Sequence, residues 1–251
     1  MDLTPVLKLG VLLVRPGMVI MLSPGLGGKH IPPLPKVGIT VLIALGLLPS
    51  VSVPLSDGNV SLAIVLAREV AIGMALGFVL QALLNGVELA GHLSGAQIGL
   101  TYGATIDPQS GVRNNMLAML YGSLATLAFL GVNGHHAVLR ALAASYAGVP
   151  IGGGHLNASL VGSIRELMGV VFVVGIRLAA PIVVVLLIVE IAVGLIARSA
   201  PTLSFQVIGA PIRILVGLFV LAALVSTIPA VTTSLLPSML TLAGHAAAAF
   251  R

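Results

Sequence analysis

The chain has 251 residues, 58% of them hydrophobic and only 8% charged, against about 25% charged in soluble domains. Its mean hydropathy of +1.15 is far above what a soluble core of this size requires, and the absence of cysteine excludes disulfides and thiolate metal sites. The net charge of +5 comes from 12 Lys and Arg set singly along the chain, a pattern that fits membrane topology and lipid headgroups and argues against nucleic-acid binding.

The opening Met1-Asp2-Leu3-Thr4-Pro5 carries no basic n-region, so the first apolar segment is expected to be retained. Apolar segments then follow at Leu3–Leu22, Gly38–Val53, Leu62–Leu84, Val87–Tyr102, Met116–Val132, Leu167–Ala197 and Leu203–Leu236, with a weaker one at Ala137–Ala147. Turn chemistry separates them, as in Ser23-Pro24-Gly25, Ser56-Asp57-Gly58-Asn59 and Pro150-Ile151-Gly152-Gly153-Gly154. No polar–apolar alternation is present, which argues against a β-barrel. The expected fold class is all-α, a polytopic membrane-type helical protein.

In the third segment Glu69, Gly73, Gly77, Gln81 and Asn85 recur every four residues, and Glu88 follows. Such a stripe lines a conduit or packs against a neighbouring helix, and packing is the favoured reading. A ladder of Gly91, Gly95, Gly99 and Gly103 comes next. Glycine costs about 1 kcal/mol against alanine in a helix interior, so the ladder predicts a second backbone lying against that face. It leads into a polar break, Ile106-Asp107-Pro108-Gln109-Ser110-Gly111-Val112-Arg113-Asn114-Asn115. Pro108 stops a helix and disfavours helical geometry at Asp107, while Gly111 permits positive φ. A tight helix face running into a polar loop suggests an assembly with something to plug, gate or bind.

The last two segments span 31 and 34 residues, well beyond the about 20 that cross a bilayer. Pro181, Pro211 and Pro229 are expected to kink them. The C-terminal third thus reads as a long bent helical hairpin turning at Arg198-Ser199-Ala200-Pro201-Thr202. Arg15, Glu69, Glu88, Arg177, Glu190 and Arg213 lie inside or at the edge of apolar segments, where an ionisable group faces protein, water or a partner charge. Glu69, Glu88 and Glu190 are read as interface residues, not as proton carriers.

Other motifs carry no chemistry. His135-His136 are adjacent and do not share a helix face. His92-Leu93-Ser94-Gly95 lacks the partners of a nucleophilic serine, and Gly152-Gly153-Gly154 lacks the lysine of a phosphate loop. No catalytic residue, metal or cofactor is expected.

The ordered motifs resemble the FliR/SctT family of type III export-gate proteins. Arg198-Ser199-Ala200-Pro201-Thr202-Leu203-Ser204 and Gly209-Ala210-Pro211 are similar to that family's C-terminal signature, with Ala210 where phenylalanine is usual. Arg15, Pro24, Ile31-Pro32, Arg68-Glu69-Val70-Ala71-Ile72-Gly73, Gln97-Ile98-Gly99, Ile106-Asp107-Pro108, Asn133-Gly134-His135 and Leu156-Asn157 match in order along nearly the whole chain. The resemblance implies a FliP-like part over residues 1–163 and a FliQ-like hairpin over residues 164–251, with its turn at 198–202. It implies a plug over residues 104–115, carried by Ile106, Asp107, Pro108, Gln109, Gly111, Arg113, Asn114 and Asn115. Glu69, Gly73, Gly77, Glu88, Gly91, Gly95, Gly99, Gly103 and Glu190 would serve helix packing and assembly. Arg198, Pro201, Gly209 and Pro211 would shape the hairpin. The implied function is a non-enzymatic structural and gating subunit of the export channel for unfolded substrates. Its implied partners are FliP-like and FliQ-like subunits and FlhB-like and FlhA-like export components. Its implied place is the bacterial inner membrane at the flagellar base, partly raised toward the periplasm. A secondary transporter of a small solute is the alternative; against it, the halves of the chain do not mirror one another.

Overall fold

The computed structural model describes residues 4–28, 31–51, 61–100, 115–155, 157, 159–199 and 205–250. Among them every regular element is a helix: α1 (Thr4–Leu22), α2 (Pro33–Leu47), α3 (Leu62–Ile98), α4 (Met116–Gly131), α5 (Gly134–Gly148), α6 (Ser159–Ser199), α7 (Phe205–Leu224) and α8 (Thr227–Ala248). The all-α expectation holds.

The element boundaries differ from the segment pattern in three places, each for a local reason. First, the segments expected at Leu62–Leu84 and Val87–Tyr102 form one helix, α3. Asn85-Gly86 looks like a turn in the sequence, yet Gly86 stays helical and lets α6 come close: a Cβ there would meet the Val171 carbonyl oxygen at 3.2 Å. Second, α3 stops at Ile98, so the glycine ladder is not one continuous helix face. Gly99 takes φ +96°, its N–H reaches the Ala96 carbonyl, and the Leu100 N–H reaches the Gly95 carbonyl at 3.0 Å. That pair of bonds is the left-handed glycine cap of a helix C-terminus. Third, the segment expected at Leu203–Leu236 is two helices, bent by 50° between α7 and α8. The break falls at Val225-Ser226, where the Thr227 hydroxyl donates to the Leu224 carbonyl at 2.6 Å. Pro229 sits in the first turn of α8, where its missing N–H costs nothing, while Pro181 and Pro211 lie inside α6 and α7. The alanine-rich tail continues as helix to Ala248.

The weak segment Ala137–Ala147 is the full helix α5. Asn133 enters it at φ 58°, a left-handed conformation that asparagine tolerates better than most residues, and α4 and α5 meet at 70°. Among the described residues two helices are long and apolar enough to cross a membrane, α3 and α6, or up to four candidate spans if each bent pair counts as one. At about 1.5 Å per residue, α3 runs about 55 Å and α6 about 60 Å, against a hydrocarbon core of about 30 Å.

The chain folds into two compact units. One comprises Met1–Leu83, Phe129–Met168 and Ser234–Arg251; the other comprises Leu84–Ala128 and Gly169–Thr233. The first is cored by Leu12 and Ile20 of α1, Ile72 and Leu76 of α3, Val138 and Leu142 of α5 and Ala243 of α8. The second is cored by Val87 and Ile98 of α3, Tyr121 and Ala125 of α4, and Ile182 and Leu186 of α6.

Candidate functional site

In the first unit an arginine and a glutamate, each with a fully buried side chain, tie three elements together. Arg15 on α1 donates from Nε to Glu69 Oε2 at 2.8 Å and from Nη2 to Oε1 at 3.0 Å. This is a two-pronged fork, the geometry in which guanidinium and carboxylate bind best. The same guanidinium donates to the Ser145 hydroxyl on α5 and to the Val149 carbonyl just beyond it. Its Cζ lies 4.1 Å from the Tyr146 ring centroid, a cation–π contact strengthened by exclusion of water. Tyr146 in turn donates to the Leu12 carbonyl, and Glu69 Oε1 accepts from the Gly152 N–H. Every strong partner of both charges is thus satisfied within the unit. The glycines of the same stripe explain how α1 comes near enough. A Cβ at Gly73 would lie 2.8 Å from the Arg15 carbonyl, and one at Gly77 would lie 2.6 Å from the Leu22 Cβ. At Gly73 and Gly77 the backbones of α1 and α3 therefore lie close together.

In the second unit Asn115 joins two helices. Its Oδ1 accepts from the Leu117 and Ala118 N–H groups, capping the otherwise orphaned N-terminus of α4. Its Nδ2 donates to the Gly91 and His92 carbonyls of α3. Gly91 and Gly95 make room for this clamp. A Cβ at Gly91 would fall 2.5 Å from Ala118 Cα, and one at Gly95 would collide with the Asn115 side chain. At Gly91 the backbone of α4 lies against α3. Glu88 lies one turn earlier, against Gly122 of α4, where a Cβ would be 2.7 Å from its carboxylate oxygen.

Between α6 and α7 Arg213 pairs with Glu190 at 2.7 Å, the side chains 29% and 36% exposed. Gln97 of α3 adds a long bond to the same carboxylate. A Cβ at Gly209 would lie 3.6 Å from Val193 Cγ1, and Pro211 is exposed. Arg198 is exposed at the end of α6.

Of the plug residues only Asn115 is described; Ile106, Asp107, Pro108, Gln109, Gly111, Arg113 and Asn114 lie outside the described residues, as do Gly103 and Pro201. Sequence reasoning marked Arg15 and Glu69 separately and missed that they pair. The signal was present: opposite lone charges in the first and third apolar segments, one of them on a glycine stripe. It also missed Ser145, Tyr146 and Val149, whose roles come from tertiary proximity across more than 100 positions and leave no local trace. Among the described residues no three metal-ligating side chains converge.

Comparison with known proteins agrees with the motif order. The model of the family described as bacterial export proteins, family 1, matches residues 6–239. The chain is 35% identical over 219 residues to the flagellar biosynthetic protein FliR of Escherichia coli strain K12, covering 86% of this chain and 83% of that one. It is 25% identical to the FliR of Bacillus subtilis strain 168 over 90% of this chain and 88% of the relative. It is 26% identical to the surface presentation of antigens protein SpaR of Shigella sonnei over 82% and 80%.

Proposed function

The chain belongs to the bacterial export proteins, family 1, and from that membership we propose that it is a structural, non-enzymatic component of a type III protein-export apparatus in the inner membrane. Within that apparatus it helps to form and to seal the conduit through which unfolded substrates pass. Residues 1–163 act as a FliP-like part and residues 164–251 as a FliQ-like hairpin. These parts pack against FliP-like and FliQ-like subunits, with FlhB-like and FlhA-like components at the cytoplasmic entrance. The names of the relatives favour the flagellar branch.

The observation that most supports a sealing role is the Asn115 clamp. It fastens the downstream end of the polar segment to α3, the helix from which that segment departs. A plug needs such an anchor: one end fixed, so that the rest can leave the conduit and return to the same place. Contacts of a few kcal/mol suit a closure that must be stable at rest yet movable. Deleting Gln109–Val112 is expected to raise the leakage of small ions across the membrane while the assembly still forms. A deletion variant that assembles and leaves the membrane as tight as before would remove these residues from the seal.

A further inference from the structure

The first unit carries an apolar cavity of about 470 Å³, lined among others by Leu22 of α1, Ala75 and Phe78 of α3, Ile164 and Leu167 of α6, and Phe250. Ser163 is the one hydroxyl-bearing residue in its wall. Both membrane-length helices contribute to it, and Phe78 and Ile164 are 39% and 47% exposed, so it opens outward. A second cavity of about 300 Å³ shares Ala71 and Phe250 with the first and adds Arg68 and His155. Phe250 is held at this junction by its carbonyl, which accepts from the His155 N–H at 2.8 Å. Arg68 donates one N–H to the Gly152 carbonyl at 2.7 Å and has no carboxylate partner among the described residues. The adjacent Glu69 is fully engaged by Arg15. The His155 side chain is exposed.

A long apolar slot that ends beside two nitrogen-donor side chains has the chemistry of an amphiphile with an anionic head. We propose that this slot binds one anionic phospholipid. An acyl chain fills the larger cavity, and the headgroup phosphate accepts from the spare guanidinium N–H groups of Arg68 and from His155. A partner helix is the competing occupant, and the polar end decides for an amphiphile: Arg68, with no carboxylate partner among the described residues, and the exposed His155 stand where an anionic head would sit. A flexible hydrocarbon chain fits the volume range of ordinary ligand sites, about 300–1,000 Å³. Guanidinium forks bind phosphate with two parallel bonds, which supplies the preference for an anionic head. The site is independent of any plug and would exist whether or not residues 104–115 seal the conduit.

Native mass spectrometry tests this on the full chain in the assembly it forms in cells, extracted in mild detergent and exposed to mixed micelles of phosphatidylglycerol or phosphatidylcholine. Phosphatidylglycerol should be retained in preference, and Arg68→Gln should reduce that preference about fivefold, the value of one basic group near an anionic headgroup. Arg68→Lys should keep most of it. His155→Gln, at an exposed side chain, should weaken it without disturbing the fold. Ala75→Phe, which fills the slot, should abolish retention of both lipids. Unchanged preference in both Arg68→Gln and His155→Gln would overturn the headgroup assignment. Lipid retained by Ala75→Phe, or a Met74→Cys variant that cross-links to a partner protein in place of lipid, would overturn the site.

Discussion

At the scale of single residues the most consequential group is the Arg15 guanidinium. A buried ion pair is weak evidence of net stability, because removing two charges from water costs several kcal/mol each. It is strong evidence of interdependence. Removing one partner leaves the other charge buried and unpaired, at a cost of about 3–5 kcal/mol. Glu69→Gln is therefore expected to destabilise the first unit severely, read as loss of folded protein in detergent. The double replacement Arg15→Met with Glu69→Leu should recover most of it, because well-packed apolar groups can stand in for a buried pair. Equal stability of Glu69→Gln and the unaltered chain would show that the carboxylate is dispensable. The half-exposed Glu190–Arg213 pair should behave differently, with Glu190→Gln costing about 1 kcal/mol or less. The sequence separates these two cases poorly. Both are opposite charges in apolar helices, and only the three-dimensional neighbours, Ser145, Tyr146 and Val149 for one and partial solvent for the other, distinguish them.

At the scale of elements, glycine position governs which helices can touch. Gly91→Ala would place a methyl group 2.5 Å from the Ala118 Cα, a backbone atom that cannot rotate away. Such overpacking costs about 1–3 kcal/mol, and α3 and α4 should separate, with a lower unfolding temperature as the readout. Gly194 has no atom within 4 Å of a built Cβ. Gly194→Ala, five residues before the end of α6, should stabilise that helix by about 0.5–1 kcal/mol through backbone entropy. If both substitutions had the same effect, close approach at Gly91 would not be the reason for its glycine. The hairpin end gives a second test. Arg198 is the exposed basic residue closing α6, and basic residues beside spans favour the cytoplasmic face. A cysteine introduced by Arg198→Cys should react with thiol reagents from the cytoplasm; labelling from the periplasm would reverse the hairpin. Helix type was legible throughout, because apolar runs without alternation leave one solution in a bilayer. Helix ends were not. The Gly99 cap and the Val225-Ser226 break depend on which carbonyls and hydroxyls find partners after packing. At Asn85-Gly86 a turn-like pair is overruled by the neighbouring helix α6.

At the scale of the whole molecule the exposed apolar surface is the dominant property. Leu34 is 82% exposed, Phe219 77%, Leu215 69%, Leu195 63% and Ile188 61%. A lone soluble chain does not tolerate such patches, and only 17% of the most apolar window of α6 is buried within the chain. The protein is therefore expected to aggregate or be degraded when expressed without its partners, and to be recovered when they are co-expressed. A monodisperse folded monomer in mild detergent would argue against an obligate subunit. This level was the most legible from sequence: composition specifies lipid or protein as the surroundings.

The reach of Arg15 also sets an order of events during synthesis. Its carboxylate partner lies 54 residues later and its carbonyl partner Val149 lies 134 residues later. At about 5–20 residues per second, Glu69 is made about 3–11 s after Arg15, and Val149 about 7–27 s after it. During that interval α1 carries an unmatched cation, and inserting one at the centre of a helix costs about 2.5–3.5 kcal/mol. Although α1 is made before α3 and α5, it settles only when they reach it, and it holds a provisional position until then.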